Sequence, residues 1–282
     1  MVLVAPSPLL PSAPLTARAP KESGSGREVL ALLRGDMAAR PNFDPGLAGG
    51  VRAWLEDAAY EATSQRTERA GPLVLGSRQL LGSVTAEDTT SGTSRIVHRF
   101  VHVLFRQLVH GATITDPLDD GLEALRAAGD HAAVEDVEAL DERARHGIAA
   151  TLARHVTNLT SLVPRFAPGW MPRTDDYIAI PLAGGRVVLH GVFDLLVGVP
   201  QTRTASLCAL GLSTGGPWDR ERRSLHFLAL LQLLRAGSPP FRVALFESVS
   251  GRYGVEDIRE EHIRAMAAHV AGWLAQRDAV HE

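Results

Sequence analysis

The chain has 282 residues, of which 45% are apolar and 22% are charged, and its formal net charge is −3. This length and apolar content provide the core for one large domain or two small ones and exclude a wholly disordered chain. No run of about 18 apolar residues occurs, so we expect no transmembrane helix and no membrane partner. One cysteine, Cys208, excludes a disulfide framework and a cysteine-based zinc or iron–sulfur site, which favours a reducing, cytoplasmic location.

The basic residues are almost all arginine, because Lys21 is the only lysine. GC-rich codon usage explains this bias without any function, but it removes lysine-dependent chemistry from the folded part of the chain. With a net charge near zero, nucleic-acid binding would depend on a local basic patch.

The first half of the chain has a tail and then helical patterns. Residues 1–26 are rich in Pro, Ser, Ala and Gly, which predicts a flexible tail. Residues 27–163 form the helical portion, in which residues 92–110 place apolar side chains at helical spacing. Residues 131–158 carry many charges at the same period and predict one long, partly exposed helix.

The pattern changes to strands after Pro172. A hairpin is predicted from Tyr177–Leu182 and Arg186–Val199, followed by a third strand at Ala205–Ser213. A helix over residues 222–236, a strand at Phe241–Val249 and a last helix over residues 257–276 complete the series. Helices followed by the order β, β, β, α, β, α predict an α/β fold, a mixed sheet with helices packed on it.

Four segments resemble, in order, the RecB-like branch of the PD-(D/E)XK nuclease superfamily. "HGVFDLLVG" is similar to the family's G-x-x-D strand, and "ALGLSTG" is similar to its D/E-x-K-T-G strand. "LHFLALLQLLRAGSPPFRVALFESVSG" resembles the helix and strand that follow. "TSGTSRIVHRFVHVLF" resembles an upstream helix with a histidine, matched by His98 or His102. The resemblance implies a restriction-endonuclease-like core (αβββαβα) over residues 164–282, joined to the helical portion in one compact unit.

The resemblance also implies a metal site that this sequence retains only in part. In the family, an aspartate and a D/E-x-K pair on the neighbouring strand bind Mg²⁺, because residues two apart on a strand share a face. Asp194 is the one metal ligand that carries over. The acidic position is Gly211, the lysine position is Ser213, and the family's tyrosine in the next helix falls on Leu228.

Other residues are candidates to replace the missing ligands. His190 and Asp194 lie four apart on one strand, Glu247 lies on the fourth strand, and His98 lies on the upstream helix. An unconventional site built from these four residues is one hypothesis. The alternative for the row His98, His102, Arg106 and His110 is a half-buried polar flank of a helix rather than a zinc site.

Three arginines lie between the third strand and the next helix, at the edge that faces the DNA backbone in related nucleases. Arg220, Arg222 and Arg223 are therefore candidates for phosphate binding. A solvated helix start, partly neutralised by Asp219 and Glu221, is the structural alternative.

Three functional hypotheses remain open from the sequence. The leading one is a catalytically degenerate nuclease-like protein that binds DNA, RNA or a protein partner, with no cofactor. The second is an active nuclease that depends on Mg²⁺ or Mn²⁺ and uses relocated ligands. The third is a structural subunit whose former active face is filled by apolar side chains.

Overall fold

The fold is an α/β arrangement built on a mixed, open sheet of six strands. In this computed structural model the structure describes residues 26–34, 42–64, 71–82, 92–162, 171–198 and 207–278. The predicted tail up to residue 25 lies outside these ranges. The described residues form six strands: β1 Leu73–Leu75, β2 Arg173–Leu182, β3 Val187–Val197, β4 Cys208–Ser213, β5 Arg242–Glu247 and β6 Tyr253–Asp257.

Nine helices accompany the strands within the same ranges. They are α1 Gly26–Arg34, α2 Leu47–Thr63, α3 Ser77–Leu80, α4 Gly92–Val109, α5 Pro117–Ala127, α6 His131–Glu138, α7 Glu142–Leu162, α8 Trp218–Ala236 and α9 Glu260–Asp278. None of these helices is long and apolar enough to cross a membrane.

β3 organises the sheet. The antiparallel β2 pairs with one edge of β3 along most of its length. The other edge pairs first with the parallel β1, from Leu73↔Val187, and then with the antiparallel β4, up to Val197↔Cys208. After β4 the chain crosses over through α8 to β5, which is parallel to β4, and β6 returns antiparallel to β5.

Helices cover the two faces of the sheet unequally. On one face α1, α4, α5, α6 and α7 pack against β4, β5 and the last residues of β3. On the other face α2, α8 and α9 pack along all strands from β1 to β5. α8 lies between the sheet and its neighbouring helices, because every residue from Leu225 to Leu234 is buried.

Three elements differ from the sequence predictions. The single long helix predicted over residues 131–158 is wrong: α6 ends at Glu138, and the Asp141 side chain accepts a hydrogen bond from the backbone N–H of Ala144 and so starts α7. β1 lies in the portion predicted to be helical, and β6 occupies residues left without a strand. Both strands are short, so their alternation is weak in the sequence.

Candidate functional site

One face of α4 carries a row of polar side chains that reach the sheet. The residues of this α4 polar row are four apart, so they follow one another along one side of the helix. Each lies near a polar group of a strand or of the turn after β4: His98 Nδ1 is 3.3 Å from Thr214 Oγ1, His102 Nδ1 is 2.8 Å from Asp194 Oδ1, Arg106 Nη1 is 2.8 Å from Asp175 Oδ2, and His110 Nε2 is 3.4 Å from Thr174 Oγ1. The row therefore forms a polar flank between α4 and the sheet.

Asp194, the aspartate that the resemblance assigns to a metal site, lies at the centre of this contact. Its Oδ1 accepts a hydrogen bond from His102, and its Oδ2 accepts one from the backbone N–H of Leu212 at 2.7 Å. Both carboxylate oxygens are thus engaged by the protein itself, one from α4 and one from β4.

The negative charge of Asp194 acts on the pKa values of two neighbouring histidines and determines the direction of the shift only for His102. Burial lowers the pKa of His102, but the charge and hydrogen bond of Asp194 outweigh burial, so the pKa of His102 is raised above its usual value. His98 lies with its ring centroid 4.3 Å from that of His102. Burial is the largest cause that lowers the pKa of His98, to about 4, and the positive charges of His102, Arg78 and Arg99 act in the same direction. The negative charge of Asp194 opposes this shift but does not outweigh it.

A second carboxylate, Glu221, lies close enough to sense Asp194. Glu221 is in the first turn of α8, and its side chain folds over Gly216, where an added Cβ would lie 2.5 Å from Glu221 Oε1. Burial and then the negative charge of Asp194 raise the pKa of Glu221, against the opposing charges of Arg220 and His102. From the sequence, Glu221 was expected only to neutralise part of the charge of the nearby arginines.

Gly211, the position at which the resemblance implies an acidic residue, has no space for a side chain. A Cβ at this position would lie 2.8 Å from Leu225 Cδ2 of α8. Leu228, where the resemblance implies a tyrosine, is also buried, and its Cδ2 would lie 2.4 Å from a Cβ added to Gly191. Close packing of α8 on β3 and β4 therefore leaves no volume for the second ligand that the resemblance implies at Gly211.

Ser213, where the resemblance implies a lysine, has a structural role. Its side chain is buried, and its Oγ accepts hydrogen bonds from the backbone N–H groups of Gly215 and Gly216, both at 3.2 Å. The residue thus caps the turn between β4 and α8.

The D/E-x-K arrangement that the resemblance implies for Mg²⁺ does not fit these residues. Magnesium needs an octahedral set of oxygen ligands. Asp194 already has two protein donors, Gly211 supplies no carboxylate, and Leu225 occupies the adjacent volume.

The structure does not bring His190 and Glu247 to Asp194. His190 shares the strand face of Asp194, but four residues of a strand span about 13 Å. Its Nε2 lies beside Gly76 instead. Glu247 accepts a hydrogen bond from Ser250 and lies 3.5 Å from Arg252 Nη2, at the turn between β5 and β6. Of the candidate substitutes, only His98 lies at the site.

The three arginines at the start of α8 point in different directions, because successive helical residues are about 100° apart. Arg220 lies close enough to Glu221 to oppose the rise of its pKa. Arg222 Nη1 lies 3.9 Å from Glu256, and Arg223 Nη2 lies 3.4 Å from His269 Nε2. The three side chains therefore do not form one patch.

A second polar cluster joins α8, β6 and α9. His226 Nε2 is 2.9 Å from one oxygen of Glu256, and His262 Nε2 is 3.6 Å from the other. The two rings are almost parallel, with centroids 4.9 Å apart. One signal of this cluster is visible in the sequence, a histidine within the apolar run of α8, but no spacing connects the three residues.

The donor atoms of this cluster lie within 4.8 Å of one another, a spacing compatible with a metal ion. Two contacts favour hydrogen bonds instead. The backbone N–H of Arg259 donates to His262 Nδ1 at 3.3 Å, which places the ring proton on Nε2, the atom that would face a metal. The Arg222 guanidinium also lies beside the same carboxylate. Glu256 therefore acts as the acceptor of a clamp between three elements.

No protein-family model matches this chain, and no similar sequence is found among curated proteins. The geometry of the described residues is therefore the basis for assigning a function.

Proposed function

We propose that this chain is a catalytically degenerate PD-(D/E)XK nuclease-like protein that binds nucleic acid without cutting it. The observation that carries this proposal is the state of the motif: Leu225 fills the space at Gly211, and both oxygens of Asp194 have protein donors. A nuclease of this superfamily needs those groups for a metal ion.

The connectivity of the sheet supports the nuclease-like part of the proposal. β2, β3 and β4 form an antiparallel meander, α8 crosses over, and β5 returns parallel to β4. The resemblance implies this order for a restriction-endonuclease-like core. Asp194 lies on the second strand of the meander, and the Gly211 and Ser213 positions lie on the third.

Arginines near the polar row support the binding part of the proposal. Arg78 is exposed in α3 and lies close enough to His98 to lower its pKa. Arg220 is half-buried at the start of α8. Arg222 is less suited to phosphate, because it lies against Glu256. Arginine is well adapted to phosphate because its planar fork donates two hydrogen bonds at once.

The test is a fluorescence-polarisation titration with single- and double-stranded DNA and RNA at two salt concentrations, with Mg²⁺ or Mn²⁺ present. The same samples are then run on a denaturing gel. We expect binding that weakens with salt and leaves the oligonucleotides intact. Arg220→Gln should lower the salt slope by about 0.9 for duplex DNA if it contacts one phosphate. Arg143→Gln, exposed on α7, is the matched control and should leave the slope unchanged.

One observation favours the second hypothesis, an active Mg²⁺- or Mn²⁺-dependent nuclease with relocated ligands. Glu221 places a carboxylate near Asp194, and its pKa is raised first by burial and then by the negative charge of Asp194. Oligonucleotides that are cleaved by the wild type and left intact by Asp194→Ala would overturn the degenerate reading in favour of this one. If the chain neither binds nor cleaves the oligonucleotides, the result would favour the third hypothesis, a structural subunit with a protein partner.

A further inference from the structure

Among the residues that the structure describes, helices cover the face of the sheet beside Asp194 only in part. The layer of α1 and α4–α7 packs on β4, β5, β6 and the end of β3, and α4 meets β2 near its start, at Thr174 and Asp175. The first part of β3, together with β1 and the rest of β2, carries exposed side chains on this face. We name this area the open sheet face, formed by Val74, Tyr177, Ala179, Val188, His190 and Val192. Its largest side chain, Tyr177, is 58% exposed, and Val74 and Val192 are 48% and 44% exposed.

The residues of the open sheet face form one continuous surface. Tyr177 and Val192 are direct cross-strand partners between β2 and β3, and Val74 is the partner of Val188 between β1 and β3. The rings of Tyr177 and His190 lie with centroids 6.2 Å apart. Because alternate residues of a strand share a face, Val192 leads directly to Asp194, about 7 Å further along β3.

From these observations we infer that the open sheet face binds single-stranded nucleic acid, with a base stacked on Tyr177. This inference rests on the proposed function and names the class of ligand for the same site.

The chemistry of the face selects single strands over duplexes. In a duplex the flat faces of the bases are stacked on one another, so an aromatic ring on a protein surface can stack only on an unpaired base. Exposed aromatic side chains on a sheet are the usual platform for single strands, because every base has a π face. A phosphate backbone gains nothing from valine and alanine, which excludes the backbone as the group that contacts this face.

A basic group lies at the rim of the face. Gly76, at the start of α3, is next to the His190 ring, and the exposed Arg78 follows two residues later. The positive charge of Arg78 also lies close enough to His98 to lower the pKa of that histidine. This position suits a phosphate of a strand whose bases lie on Tyr177 and Val192.

The experiment compares the wild type with Tyr177→Ala and Tyr177→Phe in polarisation titrations with a labelled single strand of about 12 nucleotides and with its duplex. We expect Tyr177→Ala to weaken single-strand binding between about fivefold and about 150-fold, the range measured for loss of one stacked base. Tyr177→Phe should bind like the wild type, because it retains the ring. Duplex binding should not change.

The matched control is Tyr60→Ala, because Tyr60 is 60% exposed on α2, in the layer that covers the opposite face of the sheet. This variant should bind like the wild type. Arg78→Gln separates stacking from charge: it should lower the salt slope by about 0.7 for single strands, whereas Tyr177→Ala should leave the slope unchanged. Circular dichroism of each variant checks that the fold is retained.

The outcomes distinguish this inference from the proposed function. If the wild type binds nucleic acid and Tyr177→Ala binds as well as Tyr60→Ala, the inference is overturned and the proposed function stands. If the wild type binds neither oligonucleotide, the proposed function is overturned, and the inference that rests on it is overturned as well. If the wild type self-associates and Tyr177→Ala abolishes this, the face is an interface with a second copy and the inference is overturned.

Discussion

Replacement of Gly211 with alanine tests whether the former acidic position is filled. The added Cβ would lie 2.8 Å from Leu225 Cδ2, 3.4 Å from its Cγ and 3.5 Å from its Cδ1. The first distance is shorter than carbon atoms tolerate, so α8 or the Leu225 side chain must move. Leu225 is 3% exposed and has core residues on its other sides, so movement is costly.

The size of the effect follows from two opposing contributions. Overpacking of a core by one methyl group costs about 1–3 kcal/mol. Loss of glycine's freedom in the unfolded chain returns about 0.5 kcal/mol. We therefore expect Gly211→Ala to lower the free energy of unfolding by about 1–2 kcal/mol.

Urea unfolding followed by circular dichroism measures this change in a double-mutant cycle. Leu225→Ala alone should cost about 2–5 kcal/mol, because it leaves a cavity. The double variant should be about 1–2 kcal/mol more stable than the sum of the two single changes, because the new methyl group occupies part of that cavity. Gly49→Ala in α2 is the control. A Cβ added at this position would have no neighbour within 4 Å, so the change should stabilise the folded state by about 0.5–1 kcal/mol. If Gly211→Ala leaves the free energy of unfolding unchanged and its effect adds to that of Leu225→Ala, the space at Gly211 is not filled by Leu225.

Three further predictions concern titration of the two polar clusters. The raised pKa of His102 means that its pairing with Asp194 stabilises the fold fully below pH 6.5 and is lost as the pH rises through the raised pKa. Unfolding free energies at about pH 6 and about pH 9 should therefore differ more in the wild type than in Asp194→Asn. His98, with a pKa of about 4, should show constant NMR shifts above about pH 5.5, and a midpoint near 6.5 would contradict its environment. Burial and the charge of a neighbouring histidine lower the pKa of His262, so its contribution to stability is lost as the pH falls from 6.5 through the lowered pKa. The melting temperature of His262→Gln should fall less with acid over this range than that of the wild type, and equal slopes would contradict this.

The strands from β2 to β5 and the crossover helix were predictable because their signals are local. Period-two alternation and the breaks at Gly184–Gly185 and Gly215–Pro217 mark their ends within a few residues. β1 and β6 were not predictable, because three to five residues carry too little alternation and their pairing is decided by β3 and β5. The boundary between α6 and α7 was missed because the helical period continues across residues 139–141. The signal for a new helix there is the Asp141 side chain, which caps the start of α7.

The candidate site divides in the same way. Asp194 and His98 could be found from motifs, because each lies within a segment with its own pattern. Glu221 could not be assigned, since only the packing of α8 on the sheet brings its carboxylate near Asp194. The His226 and Glu256 pair depends on the missed strand β6 and was equally out of reach.

Gly211 and Ser213, the positions at which the resemblance implies a D/E-x-K pair, are held in place by the fold. A chain that had merely lost an acid and a lysine would leave a cavity or solvent at those positions. Here Leu225 packs against Gly211, and Ser213 satisfies two backbone N–H groups of the turn that starts α8. A lysine at position 213 would place a charge in a buried site and leave both N–H groups without their acceptor, at a cost of about 1–3 kcal/mol for each group. Because both positions contribute to stability, the packing at this end of the sheet favours the proposed binding role over a metal site beside Asp194.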